Sequence, residues 1–293
     1  MKQVVCFGEV LWDLFPEGKK MGGAPLNVAL RMKSWGINTN MISSVGNDSL
    51  GKEILELAEQ KGIDTKYIQI SDNYNTGTVS VTLDQNGSAS YEINHPVSWD
   101  KIELVPAYLE LVSAADAFVF GSLIARDSVS KKCLLALLEK STYSVFDVNL
   151  RAPHYSIPDL ELYMNQADFI KFNDEEIEEI CSALGNKNKN LEEQILFVSK
   201  KTNTSSICVT LGKDGAVLLH KDTFYKQKGY AAVVKDTVGA GDSFLGALLS
   251  LLMSDCEPFE ALDKACAIGA LVAQKRGANP VIPEKELAKF MNL

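Results

Sequence analysis

Short runs rich in β-branched and aromatic residues alternate with stretches of helical periodicity along this chain, and that alternation constrains its fold most. Residues 3–12 read as a strand, APLNVALRMKSWG as a helix stopped at Gly36, and NTNMISSVG as a strand. DSLGKEILELAEQKG then reads as a helix capped by Asp48 and ended by Gly62. Strand, helix and strand in succession predict a parallel sheet covered on both faces. The rhythm returns later with AFVFGS, YSVFDVN, DFIKFN and SSICVTLG as strands, each preceded or followed by a helical stretch. GAVLLHK and TFYKQ predict a late antiparallel hairpin, and helices are expected over 239–254, 257–274 and 284–292.

The middle of the chain breaks the rhythm. GTVSVTLDQNGSASYEIN carries two alternating runs, 77–84 and 88–94, around Asn86-Gly87. Asn-Gly between such runs is a strong hairpin signal. With KYIQIS before it, this predicts a small antiparallel patch that cannot fold alone, an excursion from the main sheet in the manner of a flap or lid. There is no internal repeat, and GNKNKNLEEQ is the most polar loop.

The 293 residues allow one large α/β domain or two smaller ones, and 46% hydrophobic residues are enough for a sizeable core. No apolar run reaches the roughly 18 residues that span a membrane. The first apolar run carries Glu9 and Asp13 and makes a poor signal peptide, so a cytoplasmic protein is expected. A net charge of −9, with lysines clustered only in GKK, SKK and NKNK, argues against a nucleic-acid partner. An anionic substrate must then be met locally by a helix N-terminus, an arginine or a metal ion. The six cysteines form no C-x-x-C and the three histidines show no metal spacing, which points to core thiols rather than zinc or disulfides.

The stretch DTVGAGDSFLGALLSLL places Gly239, Ala240, Gly241 and Asp242 at the mouth of a helix whose buried face runs through Phe244, Ala247, Leu248, Leu251 and Leu252. A helix N-terminus offers unpaired N–H groups and the positive end of a dipole, and small residues let an anion approach them closely. Asp242 would repel a static phosphate. It makes sense where a phosphoryl group is transferred: the N–H groups hold developing charge while the carboxylate takes a proton from the attacking hydroxyl. By position alone, a first-turn carboxylate that stabilises the dipole is the simpler reading. The stretch is neither a Walker A loop nor a dinucleotide fingerprint.

Three further stretches carry candidate chemistry. In GGAPLNVA, Gly22 and Gly23 clear space before a helix and Asn27 offers a donor and an acceptor in its first turn. Asp13 lies where a strand gives way to a loop. In FDVNLR, Asp147, Asn149 and Arg151 alternate at the C-terminal end of a strand, the end that faces the ligand crevice in open parallel sheets. In FNDEEIEEI, Asn173 ends a strand and Glu176 opens a helix, where an amide and a carboxylate can hold magnesium through water. Each also has a plain structural reading as a tight turn, a solvated loop or a helix start.

Taken together, these residues resemble the PfkB (ribokinase-like) carbohydrate kinase family. DTVGAGDSF looks like its C-terminal signature and GGAPLNVA like its N-terminal glycine signature; VGNDSLGKEILELAEQKGI and VTLGKDGA match its segments in order. The resemblance spans essentially the whole chain and implies a single domain, 1–293, with a three-layer α/β/α ribokinase-like fold. Its central sheet would be mostly parallel, with a small β-lid contributed by roughly 10–20 and 66–100. It implies ATP as phosphoryl donor and Mg2+ as counter-ion. By matching position it makes Asp242 the catalytic base and Gly239, Ala240 and Gly241 the anion hole. Arg151 would approach the transferred phosphate, and Asp13, Gly22, Gly23 and Asn27 would hold the sugar. Asn173 and Glu176 would lie near magnesium, and Thr210, Gly212 and Gly215 by the nucleotide. Asp236, Val238 and Gly277 match a loop that holds a monovalent cation such as K+ in family members, although QKRGANP fits less closely. A homodimer through the lid is also implied.

GEVLWDLFP, GGAP and DVNLR lean toward the fructokinase branch. The alternatives are ribose, 2-keto-3-deoxygluconate or a nucleoside, or a sugar sensor without catalysis. A keto acid would want a cation in the lid, and 74–99 has neither Lys nor Arg. Tyr74, Tyr91 and Trp99 would suit a nucleoside. A dead sensor would lack the base or the glycines, and this chain keeps both.

Overall fold

A computed structural model describes residues 2–16, 18–83 and 89–292, with side chains described outside 81–91. The strands are β1 (Gln3–Phe7), β2 (Leu11–Phe15), β3 (Gly18–Gly22), β4 (Asn38–Gly46), β5 (Ile68–Ser71), β6 (Gly77–Leu83), β7 (Ala89–Ile93), β8 (Ala117–Gly121), β9 (Ser144–Asp147), β10 (Phe169–Asn173), β11 (Ser206–Thr210), β12 (Ala216–His220) and β13 (Thr223–Gln227). The helices are α1 (Ala24–Ser34), α2 (Ser49–Gln60), α3 (Pro106–Ser113), α4 (Ser128–Leu138), α5 (Ile157–Met164), α6 (Asp174–Ala183), α7 (Leu191–Thr202), α8 (Ala240–Leu252), α9 (Pro258–Ala273) and α10 (Glu284–Phe290).

Nine strands form the main sheet in the order β13-β12-β11-β10-β9-β8-β1-β4-β5. From β5 to β11 every pairing is parallel, and β12 and β13 add the expected antiparallel hairpin at one edge. Strand side chains alternate between two cores. Val4, Cys6, Val119, Val145 and Cys208 face one; Val5, Phe7, Phe118, Phe120 and Phe146 face the other. Helices α1, α8 and α9 fill the first, and α4 to α7 the second. Burial on both faces explains why these strands read as apolar runs, and the result is the expected three-layer α/β/α arrangement around a mostly parallel sheet. All six cysteines are free thiols and five of them are buried. No helix among the described residues is long and apolar enough to cross a membrane.

A second sheet runs in the order β3-β2-β6-β7. Here the structure corrects three expectations. Residues 3–12 are two strands in two sheets: β1 ends at Phe7, and the chain turns at Gly8, where φ is +153° and a Cβ would lie 2.5 Å from the Pro25 ring. KYIQIS does not join the excursion; β5 runs parallel to β4 at the edge of the main sheet. The small sheet is mixed rather than antiparallel, because β2 pairs with β6 in parallel. The Asn86-Gly87 turn lies outside the described residues, although β6 and β7 pair antiparallel on either side of it.

Candidate active site

The parallel strands β1, β8, β9, β10 and β11 end on one edge of the sheet, where open α/β folds place their ligands. Two cavities meet there. One, of about 540 Å³, is lined by Glu9, Asp13, Gly23, Asn27, Asn149, Arg151, Lys171, Asn173, Glu176 and Asp242, with Leu11, Val79, Ile93 and Leu123 as apolar walls. The other, of about 280 Å³, is lined by Gly212, Lys213, Gly215, Gly229, Tyr230 and the inner faces of α8 and α9. Thr210, Thr237 and Gly241 line both. The N-terminus of α8 therefore stands at the junction, with Asp242 on the larger side and Ala240 on the smaller.

The glycines there are required by geometry. Gly239 is the N-cap of α8 with φ of +74°, and a Cβ would lie 2.5 Å from the Ala278 Cβ. Gly23 has φ of +112° and lies against the Glu9 carbonyl, which a Cβ would meet at 2.2 Å. Gly22 leaves room for Asp13, whose Oδ2 would lie 2.4 Å from a Cβ there; Gly22 shapes the cavity without lining it. Gly212 and Gly215 also have positive φ, and a Cβ at Gly215 would strike the Gln227 carbonyl at 2.0 Å. The loop that bounds the smaller cavity is thus packed backbone to backbone.

Four carboxylates crowd the larger cavity. Asp242 is pushed up to about 6 by burial and by Asp147. Asp13 is also pushed up to about 6 by burial, with Lys20 pulling the other way. Glu9, which the sequence reading did not select, is raised to about 7 by burial; it is 3% exposed, and its Oε2 has no hydrogen-bond partner among the described residues. Glu176 is raised by burial as well. Arg151 and Lys171 supply the opposing charge. Lys171, also missed, is 6% exposed and donates to Asp147 Oδ1 at 3.0 Å. Burial alone would lower its pKa, but Asp147, Glu176 and Asp242 hold it above the ordinary lysine value. A Cβ on Gly241 would be 3.4 Å from Lys171 Nζ, so this ammonium lies directly beside the start of α8. The signal for it was present: Lys171 lies two residues before Asn173 on β10, on the same side of the strand.

Asn173 and Glu176 form a capping box for α6. Asn173 Oδ1 accepts the Glu176 N–H and Glu176 Oε2 accepts the Asn173 N–H, both at 2.8 Å. Glu176 Oε1 accepts the Leu150 N–H at 3.0 Å, tying α6 to the loop after β9. Each carboxylate oxygen keeps a further lone pair, so the pair fits an ion held through water. Among the described residues no three acidic, histidine or cysteine side chains form a direct metal cluster.

Asp236, Val238 and Gly277 come together around the Asp236 carboxylate. Asp236 accepts the Val238 N–H at 3.1 Å, the Gly277 N–H at 2.9 Å and the Lys20 ammonium at 3.3 Å. Asn27 lines the larger cavity and is held at both ends of its amide: its Nδ2 donates to Asp242 Oδ2 at 2.8 Å, and its Oδ1 accepts from Asn279 at 2.6 Å. Trp99 is wholly buried beneath the Arg126 guanidinium, 4.0 Å from the ring centroid, and Tyr74 lies outside the cavity. Two of the three aromatics that would favour a nucleoside are therefore elsewhere, and the Tyr91 side chain lies outside the described residues.

Residues 1–285 match the pfkB family carbohydrate kinase description. The Arabidopsis thaliana protein named probable fructokinase-2 is 30% identical over 99% of this chain and 96% of its own. The Vibrio cholerae fructokinase, solved as a double mutant with fructose, ADP and potassium ion, superposes with a TM-score of 0.84 at 25% identity, covering 99% of this chain and 98% of that one. The 2-dehydro-3-deoxygluconokinase of Thermotoga maritima gives 0.87 at 21% identity, with 99% and 98% covered, and so shares the fold.

Proposed function

This chain belongs to the pfkB family of carbohydrate kinases, phosphotransferases with an alcohol acceptor, and on that footing we propose that it transfers the γ-phosphoryl group of ATP to D-fructose, giving fructose 6-phosphate. The observation that carries the reading is the meeting of two cavities at the N-terminus of α8, with the base candidate on one side of the opening.

In this reading the sugar occupies the larger cavity, held by Asp13 and bounded by Gly22 and Gly23. Thr210, Gly212 and Gly215 shape the nucleotide side. Asp242 accepts the proton of the attacking hydroxyl as the new O–P bond forms and the bond to the leaving ADP oxygen breaks. The N–H groups of Gly239, Ala240 and Gly241 meet the charge on the transferred group, and Arg151 and Lys171 add fixed positive charge. Asn173 and Glu176 would hold magnesium through water; the ion neutralises phosphate charge when bound. The four-stranded sheet, folding over the sugar, excludes water, and a homodimer through its edge strands β3 and β7 belongs to the same reading. Fructose is favoured by the whole-chain likeness to proteins named fructokinases, and by a cavity whose hydrophobic walls are aliphatic.

ADP release with ATP and magnesium across fructose, ribose, 2-keto-3-deoxygluconate, adenosine and glucose tests the substrate. The reading expects fructose to lead in kcat/KM by at least about tenfold, a difference of roughly 1.4 kcal/mol in transition-state binding. Another leading substrate would overturn fructose and keep the transfer chemistry. The base also sets a pH dependence. Asp242 must be ionised to accept a proton, and its pKa is near 6. kcat/KM should therefore be flat at neutral pH and fall about tenfold per pH unit below that value. A profile flat down to pH 4.5 would show that no such base is used.

A further inference from the structure

Asp242 is gripped through two linked side-chain amides. Asn279 Nδ2 donates to Asn27 Oδ1 at 2.6 Å, and Asn27 Nδ2 donates to Asp242 Oδ2 at 2.8 Å. An ionised carboxylate only accepts, so the direction of the chain is set from its far end. With its oxygen engaged by Asn279, the Asn27 amide must turn its NH2 group to Asp242. If that amide flipped, an oxygen would face the carboxylate. Asn279 is in turn held firmly by its own segment. The Gly277 N–H binds Asp236, Ala278 packs against Gly239, and the Pro280 carbonyl accepts from Arg31 at 3.1 Å. Asn279 Oδ1 is buried without a partner among the described residues, so the bond to Asn27 is the side chain's one engagement.

We infer that Asn279 is a positioning residue for phosphoryl transfer: it fixes the orientation of the Asn27 amide, and through it the Asp242 carboxylate. The inference rests on the reading of Asp242 as the base. A residue 37 positions beyond the base, in a loop that lines neither cavity, thereby controls the geometry of the proton transfer.

Asn279→Asp tests this at nearly constant shape. The new carboxylate can only accept, so the Asn27 NH2 turns toward it and the Asn27 oxygen meets Asp242. The substitution also adds a charge to a group already faced by Glu9, Asp13, Asp147, Arg151 and Lys171. The two effects separate in a pH profile. Added charge alone shifts the acid limb to higher pH and leaves the kcat plateau in place. Reversed amide polarity lowers the plateau itself, where the base is fully ionised. The expected plateau loss is about 100-fold for Asn279→Asp and about tenfold for Asn279→Ala, in keeping with the cost of a misplaced catalytic group. The sugar KM should stay within about threefold.

A merely structural residue gives the opposite order, with the isosteric Asp milder than Ala. That order, or an Asn279→Asp plateau within threefold of wild type, overturns the inference. If Asn279→Asp does not fold, Asn279→Ala decides: an unchanged plateau overturns the inference, and a tenfold loss with unchanged melting temperature supports it. Asp242→Asn in the same assays keeps the two readings apart. Near-normal turnover there sinks the base itself, whereas an inactive Asp242→Asn beside a normal Asn279→Asp removes only the positioning role.

Discussion

Asp242→Asn turns over about 100- to 10,000-fold more slowly than the wild type while still binding sugar, the usual worth of a positioned general base. The amide has the carboxylate's shape, and its oxygen can still accept from Asn27 Nδ2, so the opening of α8 keeps its form. Only the capacity to take a proton is lost. The same substitution does not weaken the fold at neutral pH. Burial raises the Asp242 pKa from 3.8 to about 6, which means the ionised form is disfavoured in the native state. A raised carboxylate pKa costs stability above its unfolded value, fully so above its folded value, and an amide escapes that cost. The expected result is therefore a large drop in kcat, a sugar KM within about threefold and an unchanged or higher melting temperature at pH 7. A kcat within tenfold of the wild type removes Asp242 from the role of base.

Lys171→Met produces the largest stability loss expected of any single change at the site. Lys171 and Asp147 are directly opposed on β10 and β9, 6% and 3% exposed, and joined at 3.0 Å. The second Asp147 oxygen already has no partner among the described residues. Removing the ammonium strands a buried carboxylate, at a cost of about 3–5 kcal/mol. Urea unfolding at pH 7 reads it as a lower midpoint. The double variant Lys171→Met/Asp147→Leu recovers much of the loss, because replacing both charges leaves nothing unpaired. If Lys171→Met costs less than about 1 kcal/mol, the pair is not holding the β9–β10 contact together.

How much of this was legible beforehand depends on the range of each interaction. The parallel sheet was readable because β1, β8, β9, β10 and β11 are buried on both faces and announce themselves as short, mostly apolar runs. The α8 opening was readable because its glycines and Asp242 are contiguous. The break at Gly8 was not, since the reason for it is the Pro25 ring, which no local pattern marks. Asn27 showed itself only as a donor and acceptor in a helical first turn, and its bonds to Asp242 and Asn279 were not legible. Its partners lie 215 and 252 residues away, beyond any periodicity. Lys171 was hidden inside DFIKFN, where one charge among apolar residues looks incidental until the sheet places Asp147 beside it. Asp236, Val238 and Gly277 were grouped by the resemblance, but the contact of Lys20 with the Asp236 carboxylate was not legible, because Lys20 arrives from β3 of the other sheet.

The most direct measurement is 31P NMR of the purified protein with ATP, magnesium and fructose. The account predicts that the γ-phosphate signal is replaced, mole for mole, by a phosphomonoester coupled to the C6 protons of fructose, with ADP as the only other product. Inorganic phosphate in place of the ester, or no change in the ATP signals at all, would contradict transfer from the nucleotide side of α8 to a fructose held on the other.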